Sequence, residues 1–378
     1  MEGHLGRTAF IYSEDLSSHV LRDGHPMRPI RLKWTHDLLD ALESFSSGNS
    51  IVIKPVSASD EDVLSNHTLD YLKAVKNLSA GTALEKAELF GFSTAGDNPI
   101  YSGMYEAALL SAGASLVATN LALSGDVEVA FSISGGLHHA MPASASGFCI
   151  FNDPAIVINT LLNRGLRVVY LDIDAHHGDG VQHSFYDTDS VLTISLHESG
   201  QSLFPGTGSV DEKGIGNGEG YSVNLPLAPY TGDEVYNWAF ENIVPPLIDA
   251  FDPDCVVTQL GIDTYHSDPL THLYLSSEGF TSIIRSTKKI VQGLPWIALG
   301  GGGYNLSAVA RCWSLAYGVM SGQDLTDDLP ESQKDHLGTD KLRDVLIPEL
   351  PSKVVEATRE FAEVSVELVK KTIFPYHM

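Results

Sequence analysis

Seven short, near-continuous apolar runs rich in β-forming residues punctuate the chain: TAFIY (8–12), IVIKPV (51–56), VEVAFSI (127–133), LRVVYLDI (166–173), VLTISL (191–196), CVVTQLGI (255–262) and WIALGG (296–301). Strands that are apolar on both faces must be covered on both faces, which points to parallel pairing between two layers of helices. The intervening segments 102–124 and 233–251 carry apolar residues at helical spacing, as the covering layers require. The pattern predicts an α/β fold with a central, mostly parallel sheet. Neither an internal repeat nor a low-complexity linker divides the chain, so residues 1–378 are read as one domain. The polar interval 322–340 reads as a surface excursion before a last helix near 354–371.

Hydrophobic residues make up 43% of the 378, enough for a large core. A net charge of −25 argues against general affinity for nucleic acid or anionic lipid and favours cationic partners. The three cysteines, Cys149, Cys255 and Cys312, are far apart and lack the CxxC spacing, which argues against a disulfide framework or zinc knuckle. The first twenty residues show no basic segment followed by an apolar one, and no later stretch is read as approaching the ~20 apolar residues of a membrane span. These features are expected of a soluble, cytoplasmic protein.

In open α/β sheets functional groups collect where loops leave the carboxyl ends of strands. Four polar clusters fall at such places: SGGLHHA, LDIDAHHGDG, GIDTYHSD and GGGGYN. In YLDIDAHHG, Asp172, Asp174 and His176 are two apart and share one face of an extended segment. Burying two carboxylates beside an imidazole without a cation is costly, and a divalent metal removes the conflict. Asp174 and His176 are candidate ligands, with Asp263 as a second carboxylate; three protein ligands match a catalytic zinc site with an open position. Binuclear manganese chemistry would need further carboxylates where Gly178 and Gly261 stand, so one metal is favoured. His177 and His183 are given packing or solvent-facing roles.

Tandem His138 and His139 follow a strand. Beside a cation that acidifies water, one imidazole takes a proton and later returns it to a leaving amine. The second orients or stabilises, and Asp172 and Asp179 are the carboxylates expected to tune His138 and His139 respectively. The glycine run 300–303 lacks the GxGxxG and P-loop spacings. It presents Tyr304 either as a packing aromatic or as a donor to a developing oxyanion.

With these pieces in place the chain resembles the zinc-dependent histone deacetylase superfamily. The motifs that carry the resemblance are GHPMRPIRL (24–32), GDNPIYSGMYEAALLSAGAS (96–115), GGLHHA, SGFCIFND, LDIDAHHGDGVQ, SLFPGTG (202–208), and LGGGGYN with the following ARCW (310–313). Within the superfamily it looks similar to class I enzymes and, partly through DPLTHL (268–273), to bacterial acetoin-utilisation deacetylases. The resemblance implies the arginase/deacetylase fold with an eight-stranded sheet. It implies one Zn2+ per chain, with Fe2+ an alternative, held by Asp174, His176 and Asp263. It further implies His139 as general base and acid assisted by His138, and Tyr304 polarising the acetyl carbonyl. Gly147, Phe148, Phe204 and Leu270 would line an acetyl-lysine tunnel, with Asp97 at its rim and Arg31 near an inner acetate exit. Structural K+ or Na+ would sit at Asp172, Asp174, His176, Ser195 and Leu196, and at Phe185, Thr188, Val191 and Tyr221. Tyr265 and His266 are expected near the rim as bulky entrance residues. The implied activity is zinc-dependent hydrolysis of the acetyl amide of acetylated protein lysines. Acetylpolyamine hydrolysis and non-catalytic acyl-lysine binding stand as alternatives, and a binuclear ureohydrolase ranks last.

Overall fold

The computed structural model describes residues 7–17, 20–46, 48–82 and 86–378; the first six, which carry part of the expectation of a leaderless start, lie outside them. The strands are β1 (Thr8–Ile11), β2 (Ser50–Ile53), β3 (Val129–Ser132), β4 (Val168–Asp172), β5 (Val191–Glu198), β6 (Ser222–Leu227), β7 (Cys255–Gln259) and β8 (Trp296–Leu299). They form one eight-stranded sheet in the order β2-β1-β3-β8-β7-β4-β5-β6, and every pairing is parallel.

Alternate strand residues enter two separate cores. Phe10, Phe131, Leu171, Val256 and Trp296 face one layer, while Ala9, Ala130, Tyr170, Val257 and Ile297 face the other. Full burial of the larger of these side chains stabilises by roughly 1.5–3 kcal/mol each before the entropy of ordering is set against it. On the second face the helix Met104–Ser124 lies against β1, β3 and β8. Its Ala114, Ala118 and Ala122 allow close approach to the sheet. By length and composition this helix is apolar enough to cross a membrane, which the sequence expectation denied; half of its apolar window is buried here against the sheet and neighbouring helices.

The apolar runs account for seven strands, and β6 is the one they miss. Its sequence SVNLPL is broken by Asn224 and Pro226, and it forms the sheet edge, where proline is tolerated. The interval 322–340 also differs from a loose excursion. It contains the helix Glu331–Leu337 and buries Leu325, Leu329 and Leu337. Apolar anchors inside a polar stretch hold it to the body.

After β3 the chain crosses to β4, leaving a gap of two strands that β7 and β8 later fill. The loops leaving β3, β8, β7 and β4 are therefore neighbours, and they are the four that carry the polar clusters.

Candidate metal and catalytic site

The turn after β4 carries Asp174 and His176, and the loop after β7 carries Asp263. Asp174 Oδ2 accepts hydrogen bonds from Gln259 Nε2 (2.6 Å) and the Gly302 N–H (2.7 Å). Asp263 Oδ1 accepts the Ala175 N–H (2.8 Å), and the Asp263 carbonyl accepts the Thr271 hydroxyl. These contacts leave Asp174 Oδ1 and Asp263 Oδ2 at 3.0 and 2.9 Å from His176 Nδ1. One donor atom from each residue lies within 4.8 Å of the others, and among the described residues this is the one such His/Cys/Asp/Glu group.

All three residues are buried, and their side-chain hydrogen-bond partners are neutral groups or one another. Two carboxylates and an imidazole held this way fit one divalent cation with an open position. Without it the charges distort one another. Burial and then the Asp174 charge push Asp263 up to about 7. Despite opposing burial, Asp263 and Asp174 hold His176 well above its ordinary range, and His138 and His176 hold Asp174 well below its own. Gly302 and Gly261 are required by close approach: a Cβ at 302 would fall on Asp263 Oδ2, and one at 261 on Asp174 Oδ2.

The turn after β3 brings His138 and His139 to this group. His138 Nδ1 lies 2.7 Å from Asp172 Oδ2 and His139 Nδ1 lies 2.7 Å from Asp179 Oδ1, the pairing expected from sequence. Their Nε2 atoms are 3.0 Å apart. The two rings are tuned in opposite directions. Burial disfavours charge on His138, but Asp172 and Asp174 outweigh it and raise its pKa to about 9. On His139 burial and the neighbouring His138 charge prevail over Asp179 and lower it to about 4. Asp172 also accepts the Tyr170 hydroxyl (2.8 Å).

Tyr304 follows the glycine run directly before Asn305, which caps the helix Leu306–Ser321. Its N–H donates to Asp268 Oδ2 (2.7 Å), and its ring stands 6.5 Å from that of His176. Burial and the charges of Asp263 and Asp174 raise its pKa well above the usual value, so the phenol keeps its proton.

Of the expected tunnel residues, Gly147, Phe148 and Phe204 stand against His139 and Tyr304. Phe148 stands edge-on to Tyr304 at 5.7 Å, and Phe204 to His139 at 5.0 Å, with Phe204 45% exposed at the opening. Gly147 has φ +49°, and a Cβ there would fall on the His139 ring. The Leu270 N–H donates to Asp268 Oδ1 (2.9 Å), which ties the Leu270 and Tyr304 loops. Exposed Asp97 offers its carbonyl 3.1 Å from His25 Nε2, and the His25 ring packs on Phe148 at 4.7 Å. Buried Arg31 donates from Nη1 to the Gly303 carbonyl (3.0 Å) and lines a cavity of about 90 Å3 with Leu137, Phe148 and Ile150.

Of the residues proposed to hold monovalent cations, Asp172 pairs with Ser195 across β4 and β5, with Leu196 following. Phe185 and Thr188 lie in the turn before Val191, the first residue of β5, and the Tyr221 carbonyl accepts the Thr193 N–H (3.0 Å). His177 is buried between Thr207 (2.8 Å) and Gln182 (3.1 Å), while His183 is exposed. All three cysteines are free and buried.

Tyr265 is not a rim residue. It is 4% exposed, donates to Asp344 Oδ1 (2.6 Å) and accepts from Arg311 Nη2 (3.0 Å), because its phenol completes a buried ion-pair network; His266 beside it is half-buried. Gln259, Asp268 and the Gly302 N–H were not singled out as site residues from sequence. A lone glutamine ending the apolar β7 was the available signal for the first. Glu198 was also missed: buried at the end of β5, it accepts from Ser202 Oγ (2.9 Å) and the His272 N–H (2.8 Å), tying the Phe204 loop to the Leu270 loop.

A family model described as the histone deacetylase domain matches residues 25–320. The chain is 40% identical over 329 residues to the acetoin utilization protein AcuC of Bacillus subtilis (strain 168), covering 85% of this chain and 84% of that one. It is 37% identical over 326 residues to histone deacetylase clr6 of Schizosaccharomyces pombe, covering 86% and 79%. The solved structure of an HDAC homologue from Aquifex aeolicus superposes with TM-score 0.85 at 30% identity over 94% of this chain and all (100%) of that one. A structure of an HDAC homologue complexed with SAHA does so with TM-score 0.86 at 30% identity, with the same coverage. The chain belongs to the histone deacetylase family of hydrolases.

Proposed function

We propose that this deacetylase hydrolyses the acetyl amide of Nε-acetyl-lysine in proteins, releasing acetate. The observation that carries the reading is the convergence of a three-donor group, an oppositely tuned histidine pair and a protonated tyrosine beside two phenylalanines. Held by Asp174, His176 and Asp263, one Zn2+, with Fe2+ as the alternative, would supply Lewis-acid polarisation and acidify water. His139, neutral because of burial and the His138 charge, accepts the proton of the attacking water and delivers it to the departing lysine Nζ. His138, kept charged by Asp172, stabilises negative charge beside it, and Tyr304 donates to the oxyanion. Asp172 and Asp179 orient the two rings.

The apolar wall of Gly147, Phe148, Phe204 and Leu270 suits an uncharged acyl-lysine stem, while free lysine would have to desolvate its ammonium. Asp97 grips substrate backbone at the rim, and the Arg31 cavity takes acetate. The two monovalent sets hold K+ or Na+ structurally. The resemblance to AcuC and the net charge of −25 support a cytoplasmic, single-domain enzyme of acetoin-utilisation type acting on acetylated proteins, without nucleic-acid or membrane partners. The test is a panel of acetyl-lysine proteins, peptides and acetylspermidine, run on metal-reconstituted protein with and without chelator. Metal-dependent acetate release from acetyl-lysine peptides is expected. No release from any acyl-lysine substrate would overturn the reading, a marked preference for acetylspermidine would redirect it to polyamines, and tight binding of acetylated peptide without turnover would make the protein a reader.

A further inference from the structure

Two consecutive residues that perform no chemistry in this scheme grip the histidine loop from both sides. Asp153 is fully buried, and its Oδ2 accepts the Gly136 N–H (3.0 Å) and the Ser115 hydroxyl (2.6 Å). Its Oδ1 accepts the Leu137 N–H (2.8 Å). The preceding Asn152 presents the opposite polarity: Nδ2 donates to the carbonyls of Ala140 (3.0 Å) and His138 (3.3 Å). Asn152 Oδ1 meanwhile accepts the Ala155 N–H (2.9 Å), capping the helix Asp153–Leu162. The N–H groups just before the histidines and carbonyls at and after them are thus fastened to one helix start. Gly136, whose N–H is the first of these attachments, turns the chain there at φ +86°.

Stability alone gives a poor account of the carboxylate. All its hydrogen-bond partners among the described residues are neutral. Burial raises its pKa to about 6 against the effect of those bonds. A buried charge without a counter-charge is a weak stabiliser, whereas a rigid acceptor for two adjacent N–H groups fixes a loop.

We propose that Asn152 and Asp153 are positioning residues for turnover, clamping residues 136–140 so that both histidine Nε2 atoms stay aimed at the group formed by Asp174, His176 and Asp263. This rests on the deacetylase reading. The test uses the full metal-loaded chain carrying N152D or D153N. The Asp at 152 still accepts the Ala155 N–H but turns an oxygen toward two carbonyls; the Asn at 153 keeps the shape but turns a donor toward N–H groups. Misplacing a catalytic group by about 1 Å costs on the order of 10²-fold, so kcat is expected to fall about 10- to 100-fold with KM changed less than about 2-fold. Metal content should be retained, and amide exchange at 136–140 should quicken. Folded, metal-loaded variants with wild-type kcat and wild-type exchange would overturn the clamp, as would a loss confined to KM or to metal content. If either variant fails to fold, S115A, which removes one hydrogen bond to Asp153, decides by the same kcat and exchange readouts. If the wild-type protein hydrolyses no acyl-lysine substrate, the deacetylase reading fails and exchange alone judges the clamp: faster exchange supports it, unchanged protection sinks it.

Discussion

His138 and His139 are chemically the same group one position apart, yet they sit on opposite sides of neutrality. Each Nδ1 faces a carboxylate, and the Nε2 atoms 3.0 Å apart leave room for one proton between them. In metal-free protein the pair is expected to titrate in two well-separated steps, near 9 and near 4, read by NMR of the imidazole rings. The raised His138 contributes stability that is complete below its ordinary value of 6.5 and fades as pH rises through 9; the depressed His139 costs stability as pH falls from 6.5 through 4. Asp172→Asn removes the charge that most raises His138. The upper step should fall and kcat should drop about 10²- to 10⁴-fold; an unmoved upper step would contradict the assignment. Tyr304→Phe deletes a donor kept protonated by burial, and kcat should fall about 10²- to 10³-fold with little change in KM. Unaltered turnover would return Tyr304 to a packing role. These side chains were legible in the sequence because an HH pair and a DxDxH run concentrate costly groups at strand ends. Gln259 and the Gly302 N–H were harder to see, because one is a lone amide in an apolar strand and the other is backbone, which carries no residue signature.

Loops leaving neighbouring strands hold the site together, and two of the fastenings can be cut singly. The loop after β8 carries Gly302, whose N–H fixes Asp174 and whose missing Cβ leaves space for Asp263 Oδ2. Gly302→Ala should weaken divalent-metal affinity about 10- to 100-fold, as loss of outer support to a ligand does. Competition titration with a chelating dye measures this, and wild-type affinity would refute it. At the end of β5, Glu198 ties the two loops that carry Phe204 and Leu270. Glu198→Ala should raise KM for an acetyl-lysine peptide about 5- to 10-fold while kcat holds within about 2-fold, because a loosened entrance must be ordered on binding. At this scale seven strands were readable from apolar runs. The edge strand β6 escaped because Asn224 and Pro226 break its pattern while one-sided pairing still permits them. Tyr265 escaped for a different reason: its partners Arg311 and Asp344 are distant in sequence, and only the fold reveals that its phenol is buried between them.

Over the whole molecule the dominant electrostatic fact is an excess of acid, −25 in net charge, part of which is buried at the carboxyl ends of the central strands. Asp263, raised to about 7, stays protonated in the folded metal-free protein well above the ~3.9 of an unfolded aspartate. Between those values this carboxyl binds a proton in the folded state that it has lost in the unfolded one, so its contribution to metal-free stability falls as pH rises. His176, also raised, acts in the same sense: its contribution is complete below 6.5 and is lost at higher pH. Asp174 has the opposite sign, but its depressed pKa means its contribution is already present above the unfolded value and is lost only in acid. From about pH 5 to 8 the summed contribution of these three metal-site groups without a cation is therefore downward. A bound divalent cation replaces those protons and binds more tightly as they leave, adding about 2.7 kcal/mol at a hundredfold excess over Kd. The difference in melting temperature between zinc-loaded and chelator-treated protein should accordingly widen from pH 5.5 to 8. Thermal unfolding at fixed free zinc tests it. A difference that stays constant or narrows over that range would mean that the cation does not sit among Asp174, His176 and Asp263.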